Sequence, residues 1–230
     1  AGAAAMAAAA CDFVVMTQKT AALVSQGAQV LAAKSGKDLS ADAIGGAQVA
    51  AEAGACAYAA PSEQDAIAYA KKILSFLPSN NIEDAPVQDG EDFNRQIAAG
   101  KGAAYLASQI ADNGDALEVY ASYADSMYCG FAKLGGYCVG VLGNNPECGD
   151  GAISAQGAQK AARFISVCDS FNLPVISLID TIGFAVDGPA DNFGAIQGGA
   201  KLAYAYAEAS VPKVSLIVGN AIGSGYACMG

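Results

Sequence analysis

The sequence contains no histidine and no tryptophan among its 230 residues. Without histidine, the chain cannot form a Ser-His-Asp or Cys-His catalytic arrangement, nor the paired histidines of a zinc-protease helix. Any active site built from this chain must therefore use backbone dipoles, carboxylates, lysines, tyrosines, thiols or a cofactor.

Basic residues are also scarce: 12 Lys and Arg stand against 22 Asp and Glu, for a net charge of −10. Nucleic acid is not a predicted partner, because binding it needs a basic patch that neutralises phosphates. The seven cysteines include no CxxC pair, which predicts reduced thiols in a cytoplasmic protein and no metal site. Although 53% of the residues are hydrophobic, no apolar run approaches the ~20 residues of a membrane-spanning helix.

Predicted strands and helices alternate along the chain, which is typical of an α/β fold with partly parallel pairing. Ser40 is a predicted helix N-cap, residues 154–171 are a predicted amphipathic helix, and residues 22–24 are a β-like run. Gly135-Gly136 predicts a hairpin, and residues 175–180 predict a buried strand.

The best candidate for a domain boundary is the polar stretch 78–91, which carries two prolines and no periodic pattern. The chain starts at Ala1 without an initiator methionine and stops abruptly at Gly230. We therefore expect it to be a fragment of a longer protein.

Two glycine-containing turns are candidates for binding an anion or an oxyanion through backbone N–H groups. Gly223-Ser224-Gly225 follows a predicted buried strand and opens a helix, and the first N–H groups of a helix have no partner inside it. Gly2 and the alanines after it could form a second such turn. From spacing alone, a tight turn without a ligand and simple helix packing are equally good interpretations.

A third candidate is the loop that begins at Asp180, at the carboxyl end of a predicted strand, where open α/β sheets place ligands. The alternative is structural: Asp180 caps the loop backbone and Phe184 belongs to the core. Cys228 lies close to the last glycine turn, and we interpret it as a small buried thiol rather than as a nucleophile.

Longer segments carry a more specific signal. The strongest is residues 199–214, GAKLAYAYAEASVPKV. The others are Asp12-Phe13, residues 44–47, 73–81, 162–164 and 168–174, and the loop from Asp180 to Phe184. Together they resemble the biotin-dependent acyl-CoA carboxyltransferases, which include propionyl-CoA and acetyl-CoA carboxylase β subunits and the related decarboxylase α subunits.

The resemblance implies a crotonase-like ββα-spiral fold, present here as parts of two tandem domains. Residues 1–80 would be the C-terminal part of a first carboxyltransferase domain, on the acyl-CoA side. Residues 81–91 would be a linker, and residues 92–230 would be the N-terminal part of a second domain, on the biotin side.

The resemblance also implies a catalytic role for both glycine turns. The N–H groups of Gly2 and Ala3 would hold the enolate oxygen of the thioester, and those of Ser224 and Gly225 the ureido oxygen of biotin. In the implied mechanism carboxybiotin releases CO2, the biotin nitrogen takes the α proton of the acyl-CoA, and the enolate attacks CO2. No protein base is needed.

The same resemblance implies that Ala227, Gly183 and Phe184 bind the substrate. Ala227 stands where propionyl-type members have aspartate, Ser224 replaces a glycine, and Ile182 replaces a proline. Gln197-Gly198 stands where an arginine-histidine pair is frequent.

The implied partners are an acyl-CoA substrate, a separate biotin carboxyl carrier protein, a biotin carboxylase subunit and further copies of the chain, since the family forms hexamers. The biotinylated lysine motif is absent, so biotin would not be attached to this chain. Three alternatives stay open: a decarboxylase that runs the reaction in reverse, a crotonase-type hydratase or isomerase, and a non-catalytic scaffold subunit. The sequence does not determine the acyl group or the direction.

Overall fold

The computed structural model of the chain describes residues 1–91, 94, 96–97 and 102–230, and it is of mixed α/β type, as predicted. The chain divides into two compact units, Ala1–Lys72 with Tyr120–Tyr123, and Ile73–Val119 with Ala124–Gly230. The assignment of residues 1–80 and 92–230 to parts of two family domains stays a prediction. Its residue 92 lies outside the described residues.

The first unit consists of short helices around a two-stranded parallel sheet. Its strands are β1 (Val15–Thr17) and β2 (Tyr58–Ala60), and its helices are α1 (Ala3–Ala9), α2 (Ala28–Ser35), α3 (Ala41–Gly45), α4 (Ala47–Glu52) and most of α5 (Glu63–Leu74). The predicted N-cap at Ser40 is confirmed, because its Oγ accepts the N–H of Ala43 at 3.1 Å. The core of this unit is made largely of small side chains. Its buried members are Met16, Cys56 and three alanines, of which Met16 is the largest.

One strand prediction in this unit is wrong. The β-like run at residues 22–24 forms only an isolated bridge between Ala22 and Gly46. The backbone groups of the run bind the ends of two helices instead: Leu23 donates its N–H to the carbonyl of Gly45 in α3, and the Val24 carbonyl accepts from Gly2 before α1. With its partners divided between two segments, the run cannot extend a ladder.

The second unit is built on a five-stranded sheet in the order β3-β4-β5-β6-β7. The strands are β3 (Ala116–Glu118), β4 (Met127–Leu134), β5 (Tyr137–Asn144), β6 (Val175–Thr181) and β7 (Lys213–Ala221), and the helices are α6 (Ala103–Ile110), α7 (Ala155–Ser170), α8 (Pro189–Glu208) and α9 (Gly223–Met229). The first three strands are antiparallel, and β5, β6 and β7 run parallel. The predicted hairpin at Gly135-Gly136 is confirmed.

Helices α7 and α8 pack on each other, and α9 packs on α8 and β6. The predicted start of α7 is confirmed by Ser154, whose Oγ accepts the N–H of Gly157 at 2.9 Å. Strands β4, β5 and β6 are almost entirely buried, whereas β7 is exposed along nearly its whole length. The prediction of a buried strand before the Gly223 turn is therefore wrong, because β7 is the last strand of its sheet and its apolar side chains are not covered by the described residues. The parallel strands therefore bring the carboxyl ends of β6 and β7 to the same edge of the sheet, next to α9.

The predicted boundary segment 78–91 contains no helix or strand. Its last part lies against the β4–β5 hairpin: Gln88 donates its N–H to Gly136, and the buried carboxylate of Asp112 accepts from the N–H groups of Glu91, Gly135 and Gly136. Residues 86–91 thus have a defined place within the second unit.

Candidate functional site

The turn at the start of α9 lies at the carboxyl end of β7. Gly223 has a φ of +62°, which L side chains rarely adopt, and α9 has no side-chain N-cap. The N–H groups of Ser224 and Gly225 belong to the first helical turn, where no acceptor exists within the helix. Ser224 is exposed and Gly225 is buried. The turn can therefore present backbone donors to a negatively charged oxygen.

The loop after β6 packs against this turn. A Cβ atom on Gly225 would lie 2.9 Å from the Cα of Gly183, so only glycine fits where the two backbones meet. Gly183 is held in turn by Thr181, whose hydroxyl both accepts from its N–H and donates to its carbonyl, each at 3.1 Å. Two of the predicted site residues, Gly183 and Gly225, are therefore in direct backbone contact.

The other two substrate-binding candidates lie close by in sequence and on the same elements. Ala227 is exposed on α9, three residues after Ser224 and thus on the same helix face. Phe184 is half-buried, and its ring leaves no room for a side chain on Gly199 of α8, where a Cβ would lie 2.8 Å from Cζ. The ring is therefore a packing element between the loop and α8. Substrate contact by either residue stays a prediction.

The first glycine turn lies in the other unit. Gly2 also has a φ of +62° and precedes α1, which has no side-chain N-cap. The N–H of Gly2 donates to the carbonyl of Val24 at 3.0 Å, so an enolate oxygen could use this donor only in place of that bond. The N–H of Ala3 is in the first helical turn and has no acceptor within α1. The catalytic roles of Gly2 and Ala3 stay predictions.

Among the described residues, Asp180 and Cys228 are the two candidate reactive groups that the sequence places near the α9 turn. The carboxylate of Asp180 accepts the backbone N–H of Asn220 at 2.8 Å, as in the structural interpretation of its loop. Burial raises the pKa of the Cys228 thiol, so a nucleophilic thiolate is disfavoured. Within the described ranges, no group of His, Cys, Asp and Glu could hold a metal ion. What the turn offers is hydrogen-bond donors.

Sequence reasoning missed the side chains that hold the turn in place. Asn144 is 1% exposed at the end of β5, and its Oδ1 accepts the N–H of Asp180 at 3.1 Å. Its Nδ2 lies 3.4 Å from the Sδ of Met229 on α9. A polar residue that ends an apolar strand was the signal available in the sequence.

None of the helices in the part of the chain that is described is long and apolar enough to span a membrane.

Comparison with known proteins identifies relatives of this chain. The chain is 39% identical to the propionyl-CoA carboxylase beta chain of Saccharopolyspora erythraea, over 95% of this chain and 44% of that protein. It is 37% identical to the methylmalonyl-CoA carboxyltransferase 12S subunit of Propionibacterium freudenreichii subsp. shermanii, with the same coverage. The chain thus spans less than half the length of these relatives.

Among solved structures, the transcarboxylase 12S hexamer with hydrolysed methylmalonyl-coenzyme A bound superposes with a TM-score of 0.91 at 36% identity, over 99% of this chain and 47% of that one. This likeness confirms the predicted crotonase-like α/β fold. The family model described as the carboxyl transferase domain matches residues 1–230. The chain therefore belongs to the carboxyl transferase domain family.

Proposed function

We propose that the protein containing this chain moves a carboxyl group between carboxybiotin on a separate carrier and a short acyl-CoA. The observation that supports this most is the turn 223–225: a positive-φ glycine opens α9, no side chain caps it, and Gly183 backs Gly225 closely. Relatives named as propionyl-CoA carboxylase and methylmalonyl-CoA carboxyltransferase subunits support the same reaction class.

The α9 turn fits the ureido group of biotin because that group needs donors for its carbonyl oxygen. When bound, carboxybiotin supplies the carboxyl group and a basic nitrogen for the α proton of the acyl-CoA. The N–H groups of Ser224 and Gly225 would stabilise the negative charge on the ureido oxygen, and one such donor contributes about 3–4 kcal/mol to catalysis. The absence of histidine is no obstacle, since the protein itself would transfer no proton.

On the acyl side, the proposal assigns the enolate oxygen to the turn at Gly2 and Ala3. The acyl group is short, acetyl or propionyl, and Ala227 borders its pocket with a small side chain. A biotin carboxyl carrier protein and a biotin carboxylase subunit would be the partners, and the working assembly would be a homo-oligomer, a hexamer as in the transcarboxylase 12S structure. A cytoplasmic location stays a prediction.

Carboxyl exchange between a malonyl-CoA-type ester and free biotin, measured with the full-length protein, tests the proposal directly. Exchange that depends on both substrates is expected. Hydration or isomerisation of an enoyl-CoA without exchange would instead indicate a crotonase-type hydratase or isomerase, and no reaction at all would indicate a scaffold subunit.

Two substitutions at the exposed Ser224 separate a backbone role from a side-chain role. Ser224→Pro removes one N–H donor at a position in the first helical turn, where proline is tolerated, and should reduce kcat about 10²–10³-fold. Ser224→Gly keeps the donor and should leave the rate nearly unchanged. A folded Ser224→Gly variant without activity would show that the hydroxyl reacts, and would overturn the backbone mechanism.

A further inference from the structure

The ladder between β6 and β7 is irregular just before the α9 turn. Ile179 pairs with Ile217, but Thr181 pairs with Ala221. Asp180 therefore stands alone opposite three residues of β7, the last of which is Asn220. Extra residues in such a bulge lose their ladder partners, and each backbone N–H left over needs another acceptor.

Asp180 supplies that acceptor. Its Oδ1 accepts the Asn220 N–H at 2.8 Å. The carboxylate also fills the space above Gly219, where a Cβ would lie 2.3 Å from its Cγ. The glycine and the aspartate are thus complementary: the bulge closes only when residue 219 lacks a side chain and residue 180 has an acceptor of this length.

The backbone of Asp180 is itself fixed, because its N–H donates to Asn144 of β5 at 3.1 Å. Two residues beyond Asn220, the N–H of Ile222 donates to the carbonyl of Thr181 at 3.1 Å. The chain entering Gly223 is therefore held at residues 220 and 222 by consecutive residues of β6. Its path into the turn follows from these two bonds.

We infer that Asp180 is a positioning residue for the α9 turn: its carboxylate holds the β7 bulge at Asn220 and so fixes the direction of the Ser224 and Gly225 N–H groups. This rests on the proposed function of those donors. Asp180 acts as a hydrogen-bond acceptor and not as an acid or base, so an amide oxygen at the same place serves as well. A displacement of about 1 Å at a reacting centre costs on the order of 10²-fold in rate.

The test compares three variants and one control variant of the full-length protein in the carboxyl exchange with free biotin. Asp180→Ala, which has no acceptor, should lower kcat about 10–10²-fold with less than about a threefold change in KM for the acyl-CoA. Asp180→Asn, which keeps Oδ1, should stay within about threefold of the unaltered kcat. Gly219→Ala, which keeps the carboxylate but displaces it, should match Asp180→Ala. Asp187→Ala, an exposed carboxylate in the following loop, is the matched control and should be unchanged.

Hydrogen–deuterium exchange of the peptide 213–222 gives a second readout that does not depend on activity. Its uptake should rise in Asp180→Ala and Gly219→Ala and stay unchanged in Asp180→Asn. If Asp180→Asn is as inactive as Asp180→Ala, the carboxylate is needed for its charge and the inference fails. It fails equally if Asp180→Ala keeps its kcat and its uptake. If the unaltered protein exchanges no carboxyl group, the proposed function fails instead, and the uptake data still decide whether Asp180 holds the bulge.

Discussion

The two glycine turns use the same backbone device with very different support. Gly2 and Gly223 share a φ of +62°. Gly2 precedes α1 and Gly223 is the first residue of α9, and both helices have seven residues and no side-chain N-cap. Ahead of Gly223, the Asp180 carboxylate and the Thr181 carbonyl of β6 hold the entering chain at Asn220 and Ile222. At the first turn, α1 has a single buried residue, Ala5, and the bond that ties Gly2 to a segment outside its own helix runs from its N–H to the Val24 carbonyl.

The two turns also differ in how closely the residue two positions after the glycine is packed. Matching by φ places Gly2 opposite Gly223, so the residues equivalent to Ser224 and Gly225 are Ala3 and Ala4. Ala4 is exposed with its methyl group, whereas no methyl group fits at Gly225. A turn opened by a positive-φ glycine can thus form with or without close packing at the residue two positions later.

The largest expected difference between the units is in thiol reactivity. Cys11, just after α1, is exposed, whereas Cys129 in β4 is fully buried and desolvation raises its pKa to about 12. At pH 8 a thiol of that pKa is ionised to about one part in 10⁴, so alkylation of Cys129 should be slower than that of Cys11 by on the order of 10³-fold or more. Peptide mapping after timed alkylation of the native protein measures both rates. Comparable rates would show that the second unit opens as readily as the first.

Substituting the two φ +62° glycines compares the turns directly. Gly2→Ala and Gly223→Ala should each lower the free energy of unfolding by about 1–2 kcal/mol, the cost of a left-handed L residue. Neither Cβ meets a close neighbour: Ser25 O lies 3.9 Å away at Gly2, and nothing lies within 4 Å at Gly223. Urea unfolding followed by circular dichroism gives both values. A loss at Gly223 that exceeds the loss at Gly2 by more than about 1 kcal/mol would show that the surrounding bonds prevent the second turn from relaxing.

The smallest expected effect comes from the serine N-caps. The Oγ of Ser154 accepts from Gly157 and also bonds to the Oγ of Ser126 at 2.9 Å, whereas the Oγ of Ser40 caps α3 in an exposed position. Loss of an N-cap costs about 0.5–2 kcal/mol. Ser154→Ala should lie near the upper end of that range, because it also removes the hydrogen bond to the Ser126 hydroxyl, and Ser40→Ala near the lower end. Equal losses in the same urea series would remove the distinction between the two units.

Much of the second unit could be predicted from its sequence because its signals are strong and local. The glycine pair at residues 135–136, the cap at Ser154 and the buried run of β6 each depend on a few adjacent residues. The cap at Ser40 is the corresponding local signal in the first unit. The short strands β2 and β3 were missed, since three residues carry too little pattern. Helix α2 was missed as well, because its apolar residues follow no helical stripe and none is buried.

The candidate site was predictable only in part, for a physical reason. The Gly223 turn could be predicted from the sequence because a glycine-containing turn is recognised from a few adjacent residues. Its support by Asn144 and Asp180 joins residues 36 positions apart, and such pairing depends on which strands become neighbours in the sheet. Likewise, the bond that occupies the Gly2 N–H comes from Val24, in a segment that the sequence wrongly suggested to be a strand.

The exposure of β7 has a practical consequence for solubility. This strand is last in the order of its sheet, and Val214, Leu216, Ile217 and Val218 are each more than two-fifths exposed. An apolar outer strand with free backbone groups is a template on which another chain can add a strand. A polypeptide made of these 230 residues alone is therefore expected to aggregate through this edge, and a lysine at position 216 or 218 is the change that should suppress it.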